Sequence, residues 1–577
     1  MTATAVAAPA HDRATRARGP VVRRWAAPLA AAAVGVLALA PFGLAPHALG
    51  ILTLGLVYGL FTYGLDLAWG RVGLISVGQA AFFGAGAYAV VIGTDAGLSL
   101  PVAGLLGVVA GALLAALIGA VALSVPEATG VPLLILLTLG ASQLLQRTAT
   151  SLRNLTGGAN GGLAPVFDLV QGYYVVLASC AVAVALTAGL LVKGRRGLFQ
   201  LTSLVNPLRA EHLGVDLRAT RWVAFTAAGA VSALAGVLFA PVSGIVTPAS
   251  LGLALSASVL VWLAVGGKGS IAGPFLGAGL LTIGTQTLGG TLQSWYVLGT
   301  AALFILVVQV APDGLAGLVR RALRRGRDVP ALPRRIRPVH RPAAPETAGD
   351  RVLEVRDVEV SFGGTPVLQG TSLTVDRGEV VCLIGPNGAG KSTLLGAVAG
   401  TVEVARGSVW FEGVDVTAQP THRRVRHGMA RMFQVPRVFD QLSVADNRRA
   451  AAVMAGVGAE DLAVHAGEED RVAGELSMAD RRHLELDMVL TGSPELLLLD
   501  EPAAGLSHDE TGALAARIRA VAAAERCGIV VVEHDMELVR QLADRVVVLS
   551  RGAVIADGSM DEIVAHDSVR TAYLGVP

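Results

Sequence analysis

Nine consecutive residues limit what this chain can fold into more than any other stretch. They are Gly385, Pro386, Asn387, Gly388, Ala389, Gly390, Lys391, Ser392 and Thr393. Their spacing fits a phosphate-binding loop, in which backbone N–H groups and a helix N-terminus cradle phosphates. The apolar run 380–384 predicts a buried strand before the loop, and a helical pattern starts at Lys391. The stretch therefore predicts an α/β P-loop domain, with Lys391 on the terminal phosphates and Ser392 on Mg²⁺.

The rest of the chain is divided by its hydropathy. Its 577 residues are enough for two to four domains, and 53% of them are hydrophobic whereas 16% are charged. The apolar excess lies in long runs with few charges, while the C-terminal part has the composition of a soluble domain. We predict four segments: a basic cytoplasmic segment (1–24), an all-α polytopic membrane domain (25–318), a linker rich in Arg and Pro (319–349) and an ATP-binding domain (350–577).

Ten apolar stretches, each near the ~20 residues that a bilayer core requires, predict transmembrane helices. They are 25–44, 47–69, 72–94, 100–123, 130–147, 171–193, 222–240, 250–266, 273–289 and 294–312. Most Lys and Arg residues near their ends fall on one side, with Arg147 and Arg153 as exceptions, and the positive-inside rule makes that side cytoplasmic. An even number of spans places both termini and the ATP-binding half in the cytoplasm of a multi-pass plasma-membrane protein.

A few polar residues fall inside or beside the predicted spans, where burial in lipid is costly. Asp66 is a candidate for facing a transport pathway, although its place near a span end fits a structural role at least as well. Gln79, Thr156 and Asn160 are further candidates for the pathway lining. Most of the glycines in the spans are explained by close helix packing.

One predicted cytoplasmic loop has a pattern of its own. Its residues include Asn206, Pro207, Leu208, Arg209, Ala210, Glu211, His212, Leu213 and Gly214. Asn206 is a suitable N-cap for a short helix, and Gly214 is a suitable residue to end it. A short amphipathic helix on the cytoplasmic side is what a motor domain would push on, but an ordinary polar loop fits the pattern equally well.

The charge of the linker has two interpretations. Its arginines and prolines, without apolar periodicity, predict an extended and semi-rigid segment. We favour a tether against the anionic headgroups of the lipid bilayer over a nucleic-acid-binding segment. No nucleic-acid partner is therefore expected.

The membrane half resembles the permeases of the branched-chain amino acid and urea ABC importers, over most of residues 50–318. The matching segments are 64–89 (GLDLAWGRVGLISVGQAAFFGAGAYA), 155–161 (LTGGANG), 206–216 (NPLRAEHLGVD) and 263–278 (LAVGGKGSIAGPFLGA). Segments 66–70 and 241–248 look more like the urea-type branch, whereas Gln79 stands where we would expect a histidine. The resemblance implies a permease in which the loop 206–216 transmits motion from an ATPase.

The C-terminal half resembles an ABC ATPase, whose elements follow here in the family's order. The resemblance implies that Phe362 stacks on adenine, that Gln434 senses Mg²⁺ and the membrane domain, and that His534 is the switch at the γ-phosphate. An apolar strand ends in Asp500, which would bind Mg²⁺ through water, and Glu501, which would polarise the attacking water. The candidate catalytic residues are Gln434, Glu501 and His534, and those for Mg²⁺ are Ser392, Gln434 and Asp500.

One motif departs from the ABC family, whose signature reads approximately Leu-Ser-x-Gly-Gln. The residues here are Leu476, Ser477, Met478, Ala479 and Asp480. The glycine lets a backbone N–H approach the partner's γ-phosphate, and the Cβ of Ala479 would crowd that contact. We expect the site on this chain's phosphate loop to hydrolyse ATP with a partner's signature, and the site that uses Ala479 to be slow or only to bind. The alternative is that both sites work.

Together these patterns predict a fused permease and ATP-binding subunit of an ABC importer, an ATP hydrolase that takes up a small amino acid or amide. The resemblance slightly favours urea-type amides over branched-chain amino acids and implies ATP and Mg²⁺ as cofactors. It also implies a second permease subunit, a second ABC ATPase subunit and an extracytoplasmic solute-binding protein. Two alternatives stay open: an ABC exporter half-transporter, against which the ten spans and permease motifs argue, and a membrane-anchored ATPase that transports nothing.

Overall fold

The computed structural model describes residues 32, 34–125, 127–288, 293–311, 313–323, 350–457 and 470–569. These residues form a helical N-terminal half and a C-terminal half built on two larger β-sheets. The predicted N-terminal segment 1–24 and residues 324–349 of the predicted linker lie outside the described residues.

The N-terminal half consists of helices. They are α1 (Ala40–Gly43), α2 (Pro46–Val72), α3 (Ala80–Asp95), α4 (Leu100–Ala122), α5 (Glu127–Ser151), α6 (Arg153–Thr156), α7 (Leu169–Thr187), α8 (Gly194–Val205), α9 (Pro207–Glu211), α10 (Leu217–Ser243), α11 (Leu253–Gly266), α12 (Ala272–Leu288), α13 (Gln293–Val310) and α14 (Gly314–Leu323). A π-helical turn, Ala188–Val192, continues α7, and the short strands β1 (Gly162–Leu163) and β2 (Ile245–Val246) pair antiparallel.

Five described stretches are long and apolar enough to cross a membrane, judged by length and composition. They are Pro46–Val72, Leu100–Ala122, Thr129–Ser151, Leu169–Val192 and Leu217–Ser243. Helices also lie over the other predicted spans after the first one. Residues 25–31 of that first span lie outside the described part of the chain.

Two predicted spans are shorter in the structure than the sequence suggests. Span 72–94 is helical mainly as α3 and span 250–266 as α11, and their 16 and 14 residues reach about 24 and 21 Å, less than the ~30 Å of a bilayer core. The helix α2 ends because Gly73 adopts a left-handed φ of 75°. Span 250–266 begins within the 3₁₀ turn Pro248–Leu251 instead of an α-helix.

Helix α10 lies at the centre of the membrane half, against α2, α3 and α4. Glycines bring α3 and α10 together. A Cβ on Gly86 would lie 2.1 Å from the carbonyl oxygen of Ala233, and one on Gly236 would lie 1.8 Å from that of Phe83. Only glycine therefore permits this backbone contact, and at these two positions the interpretation of the glycines as packing residues is confirmed.

The polar residues considered for a pathway take positions within the helix packing. Asp66 is fully buried, and its Oδ1 accepts a hydrogen bond from Gly269 N at 2.6 Å, which ties α2 to the turn between α11 and α12. Gln79 is also fully buried and donates from Nε2 to Ser232 Oγ at 2.7 Å. These contacts favour the structural interpretation of both residues. The other two candidates are Thr156, which is buried, and Asn160, which is exposed.

The C-terminal half contains a six-stranded sheet with the strand order β12-β11-β5-β10-β9-β8, parallel except for β12, and a four-stranded antiparallel sheet with the order β4-β3-β6-β7. The strands are β3 (Arg351–Phe362), β4 (Thr365–Asp376), β5 (Val380–Ile384), β6 (Arg406–Phe411), β7 (Val414–Asp415), β8 (Met429–Met432), β9 (Leu496–Asp500), β10 (Gly528–Val532), β11 (Arg545–Ser550) and β12 (Ala553–Gly558). The helices are α15 (Lys391–Ala399), α16 (Thr421–His427), α17 (Val444–Ala455), α18 (Met478–Leu490), α19 (His508–Glu525), α20 (Met536–Leu542) and α21 (Met560–Ala565).

One buried arginine fastens the helix that follows the phosphate loop. Arg424 in α16 is 1% exposed and donates to the carbonyls of Ala397 and Val398, both at 2.7 Å, at the C-terminal end of α15. It also donates to the carbonyls of Thr417 and Gln419, both at 2.9 Å. Burial lowers the pKa of Arg424 to about 10, so the guanidinium stays charged at neutral pH. Arg424 thus gives the last carbonyls of α15 the partners that a helix end lacks.

We expect Arg424→Met to lower the free energy of unfolding of the C-terminal half by about 3 kcal/mol, because four carbonyls lose a charged donor. The change is measured by urea denaturation of the full chain in detergent, in which susceptibility of the C-terminal half to proteolysis reports its unfolding. Arg423→Met is the matched control, since Arg423 is exposed on the same helix. Equal denaturation midpoints for the two variants would contradict the prediction.

Candidate functional site

The phosphate loop has the predicted form. Strand β5 ends at Ile384 and α15 begins at Lys391. Between them Gly388 and Gly390 have φ angles of 81° and 103°, a region in which an L side chain is strained. A Cβ on Gly390 would lie 2.8 Å from Leu368 Cδ2, whereas one on Gly388 would face open space. The glycines therefore keep the loop tight and its rim open, which suits close approach of a phosphate group.

The side chain of Lys391 lies over the loop. Its Nζ donates to the carbonyl oxygens of Gly385 at 2.7 Å and Pro386 at 3.0 Å. Burial lowers the pKa of Lys391, and the nearby carboxylates of Glu501 and Asp500 oppose that shift. The structure thus places a buried cation at the loop, where the sequence places the lysine that contacts the terminal phosphates.

The first acid, Asp500, stands at the end of β9 and faces the P-loop helix. Its Oδ1 accepts a hydrogen bond from Ser392 Oγ at 3.3 Å, and its Oδ2 lies 3.4 Å from a guanidinium nitrogen of Arg431. Burial raises the pKa of Asp500, and Arg431 acts against the shift. A hydroxyl beside a carboxylate is a set of oxygen donors that fits Mg²⁺, so these side chains could hold the cation of a bound nucleotide.

The second acid, Glu501, has an unusual backbone and a defined partner. Its φ of 46° is left-handed, which is uncommon for a residue with a side chain and costs about 1 kcal/mol or more. Gln434 Nε2 donates to Glu501 Oε2 at 2.7 Å. The two residues that the sequence assigned to catalysis around β8 and β9 are therefore in direct contact.

Two further ATP-site candidates, His534 and Phe362, lie at the surface. The side chain of His534 is 71% exposed, and its Nδ1 lies 3.8 Å from Oε2 of Glu533, which is buried. Glu533 accepts hydrogen bonds from the backbone N–H groups of Ala503 and His534, and it is a residue that the sequence reasoning missed. Phe362, at the end of β3, is 55% exposed. Both candidates are accessible to a nucleotide.

The signature segment forms the start of helix α18. Ser477 is its N-cap and its Oγ accepts a hydrogen bond from Asp480 N at 3.1 Å. Leu476 is buried, Met478 is 51% exposed and Ala479 is half-buried. The start of the helix therefore lies at the surface.

The predicted cytoplasmic loop docks on the ATPase domain. As expected, Asn206 is the N-cap of the short helix α9, with Oδ1 accepting from Arg209 N, and its Nδ2 donates across the contact to Val438 O at 3.1 Å. On the other side of the loop, Arg426 Nε donates to Gly214 O at 2.9 Å. The φ of Gly214 is 89°, which fits its predicted role at the helix end. Within α9, Pro207 is the first residue and Glu211 is half-buried.

Arg209 is the centre of this contact. Its guanidinium donates to Arg431 O at 3.2 Å and to Glu485 O at 3.3 Å, and it lies 3.6 Å from Glu485 Oε1. Both side chains of this ion pair are fully buried. Burial raises the pKa of Glu485 to about 7, and the charge of Arg209 acts against that shift. Beside the pair, the His212 ring lies edge-on to Phe433, with centroids 4.8 Å apart.

Sequence reasoning identified Arg209 but none of its partners. Arg431 joins the contact to Asp500, and Arg482 donates to the carbonyls of Phe433 at 2.9 Å and of Gln434 at 2.8 Å. The sequence signal that could have revealed these partners is a pair of charged residues three positions apart, Arg482 and Glu485. They lie on a helix whose other buried residues are apolar. Charged residues at buried positions usually have specific partners.

Two family models match the chain in separate regions. The model described as branched-chain amino acid transport system / permease component matches residues 47–308, and the model described as ABC transporter matches residues 368–504. Among curated relatives, the high-affinity branched-chain amino acid transport ATP-binding protein BraF of Pseudomonas aeruginosa is 33% identical over 249 residues, covering 39% of this chain and 98% of the relative. LivG of Escherichia coli, whose description is otherwise the same, is 31% identical over 255 residues, with 39% and 98% covered. A solved nucleotide-free ATP-binding cassette from an ABC transporter is 25% identical, with 39% of this chain and 100% of that chain covered and a TM-score of 0.34.

The fold and the site define an ABC-type ATPase joined to a helical membrane domain. The chain belongs to the ABC transporter family, and it carries a permease domain of the branched-chain amino acid type and an ABC ATPase domain in one polypeptide. It is therefore a membrane protein with an ATP hydrolase domain. These findings confirm the predicted fold class.

We expect Arg209→Met to release the loop 206–216 from the ATPase domain, because breaking a buried ion pair costs about 3–5 kcal/mol. Hydrogen–deuterium exchange of the full chain measures the release as amide exchange at least tenfold faster in 206–216. Arg218→Met is the control, because Arg218 is exposed just beyond the loop. Wild-type protection of the loop in Arg209→Met would contradict the prediction.

Proposed function

We propose that this chain is the fused permease and ATP-binding subunit of an ABC importer, in which ATP hydrolysis drives uptake of a small amino acid or amide. The observation that carries the proposal is the docking of loop 206–216 beside the strand that leads to the catalytic site. Arg209 binds the carbonyl of Arg431, and the side chain of Arg431 pairs with Asp500. A change at Asp500 on nucleotide binding would therefore reach the membrane domain through two consecutive contacts.

The proposed roles divide ATP hydrolysis among the loop and the two acids. Lys391 and the phosphate loop would hold the phosphates, while Ser392, Gln434 and Asp500 would hold Mg²⁺, which neutralises phosphate charge when bound. Glu501 would accept the proton of the attacking water, and Gln434 already orients its carboxylate at 2.7 Å. The exposed His534 and Phe362 would contact the γ-phosphate and the adenine ring.

The proposed solute has no net charge. The match of the permease model and the names of BraF and LivG support a branched-chain amino acid. Segments 66–70 and 241–248 support a urea-type amide, which the sequence slightly favours. Labelled leucine and labelled urea are therefore the two solutes to compare.

The working transporter would contain further subunits. ABC sites are composite, and the exposed start of α18 at Ser477 and Met478 is available to a second ABC ATPase subunit. We also propose a second permease subunit and an extracytoplasmic solute-binding protein. The loop 206–216 defines the ATPase side of the membrane domain, and we propose that this side and both termini are cytoplasmic in the plasma membrane.

Uptake of the two labelled solutes by cells with the complete transporter tests the proposal. We expect Glu501→Gln to lower uptake about 100-fold while ATP binding is kept, because a general base contributes 10²–10⁴-fold to rate. Asp509→Asn is the control, since Asp509 is an exposed acid on α19. Lower accumulation in wild type than in Glu501→Gln would indicate an exporter, and equal accumulation with ATPase activity indifferent to solute would indicate an ATPase that transports nothing.

The signature segment leads to a separate prediction. If the Cβ of Ala479 slows the site that it completes, Ala479→Gly raises ATP turnover of the assembled transporter by up to about twofold, because one of two sites is gained. The variant Glu501→Gln silences the site on this chain's phosphate loop, so the gain is clearest when the two substitutions are combined. ATPase rates that Ala479→Gly leaves unchanged in both backgrounds would show that alanine is tolerated.

A further inference from the structure

We propose that the membrane domain holds a solute-binding site at the interface of α2, α10, α11 and α12, which extends from the middle of α2 towards the end of that helix away from the ATPase domain. The site would take a small solute without net charge that has an apolar body and at least one hydrogen-bonding group. This proposal rests on the transport function proposed above and specifies where the solute binds.

Two neighbouring cavities form the site. Their volumes are about 600 and 370 Å³, and both are lined by Tyr58, Phe239 and Gln286, so the two cavities adjoin at these side chains. The larger volume is within the range of small-molecule sites, about 300–1,000 Å³. The space is therefore large enough for an amino acid.

The position of the cavities follows from the helix α2. Its last turn, near Gly73, packs against Leu204, just before the loop that docks on the ATPase domain. Tyr58 lies 13 residues before Arg71 in the same helix, which is about 20 Å along its axis. The turn Pro248–Leu251, which also lines the larger cavity, is a break in the helical pattern of the span 250–266. Non-helical backbone at membrane depth is tolerated where it lines a cavity.

One wall of the larger cavity is aromatic. The ring of Tyr58 lies 4.8 Å from that of Trp262 and 6.1 Å from that of Phe239, and the rings of Phe83 and Phe239 are 5.3 Å apart, as measured between centroids. These four rings come from four different helices and form a continuous surface. Such a surface favours the apolar body of a solute.

The hydroxyl of Thr282 indicates where a polar group of the solute would bind. Thr282 in α12 lines the larger cavity and is 3% exposed, and its Oγ1 has no hydrogen-bond partner among the described residues. A buried hydroxyl without a partner costs about 1–3 kcal/mol. A bound solute would provide the missing partner.

The described lining of the larger cavity carries no charge. None of the described residues around the larger cavity is acidic or basic, and the polar groups of their side chains are hydroxyls, one amide and the indole N–H of Trp262. The smaller cavity has one carboxylate, Asp168, which caps α7 by accepting from Val170 N and Gln171 N. In the larger cavity, a solute with a net charge would therefore lose its hydration without gaining an opposite charge.

Cysteine protection in the full chain tests the site without requiring transport. The native cysteines Cys180, Cys382 and Cys527 are all buried. We expect Thr282→Cys to react with a small uncharged thiol reagent, and leucine to slow the reaction at least fivefold while lysine does not. Thr287→Cys is the matched control: Thr287 is exposed on the same helix and is absent from the cavity lining, so leucine should leave its labelling unchanged.

Failure of this proposal is distinct from failure of the transport function. Thr282→Cys that does not react, or that reacts equally with and without leucine, would overturn the site, even if ATP-dependent uptake is observed. Protection by urea but not leucine would overturn the requirement for an apolar body. As a second readout, Thr282→Val should raise the KM for leucine uptake about fivefold with kcat retained, whereas Thr287→Val should change neither.

Discussion

The structure depends on one buried guanidinium. Arg209 is completely removed from solvent, and leaving such a charge unpaired costs several kcal/mol. It donates to the backbone carbonyls of Arg431 on β8 and Glu485 on α18, and it forms an ion pair with the carboxylate of Glu485. The charge is compensated only when the loop, the strand and the helix lie together. This requirement fixes how the membrane domain is attached to the ATPase domain.

The strand and the helix that bind Arg209 also lead to the catalytic residues and to the signature residues of the ATPase domain. The chain after β8 leads to Gln434, which contacts Glu501, while the signature residue Ser477 caps the start of α18. Arg482 on α18 donates to the backbone of Phe433 and Gln434, so the helix and the strand cannot separate without breaking buried hydrogen bonds. A movement of the signature helix relative to the catalytic acids would therefore change the position of the docked loop.

The sequence predicted the parts of the site that are contiguous. The phosphate loop, the acids after β9 and the cap at Asn206 each depend on neighbours within a few residues, so local pattern is enough. Glu485 lies 276 residues from Arg209, and no local pattern can pair them. The start of helix α3 was predicted too early for another reason. Residues 73–79 include apolar side chains, so the hydropathy stays high through a segment that is not helical, and only the left-handed Gly73 marks the end of α2.

A single helix connects the two halves of the proposed mechanism. Asp216, at the end of the docked loop, caps α10 by accepting from Ala219 N at 2.9 Å, and it lies 3.6 Å from His422 of the ATPase domain. Phe239, which lines both cavities, lies near the other end of α10, about 35 Å from Asp216 at 1.5 Å per residue. Because Gly86 and Gly236 allow backbone contact between α10 and α3, no side chain lies between the two helices there to absorb a relative shift. A displacement of the loop would therefore move α10 as one body, and the aromatic wall of the cavity would move with it.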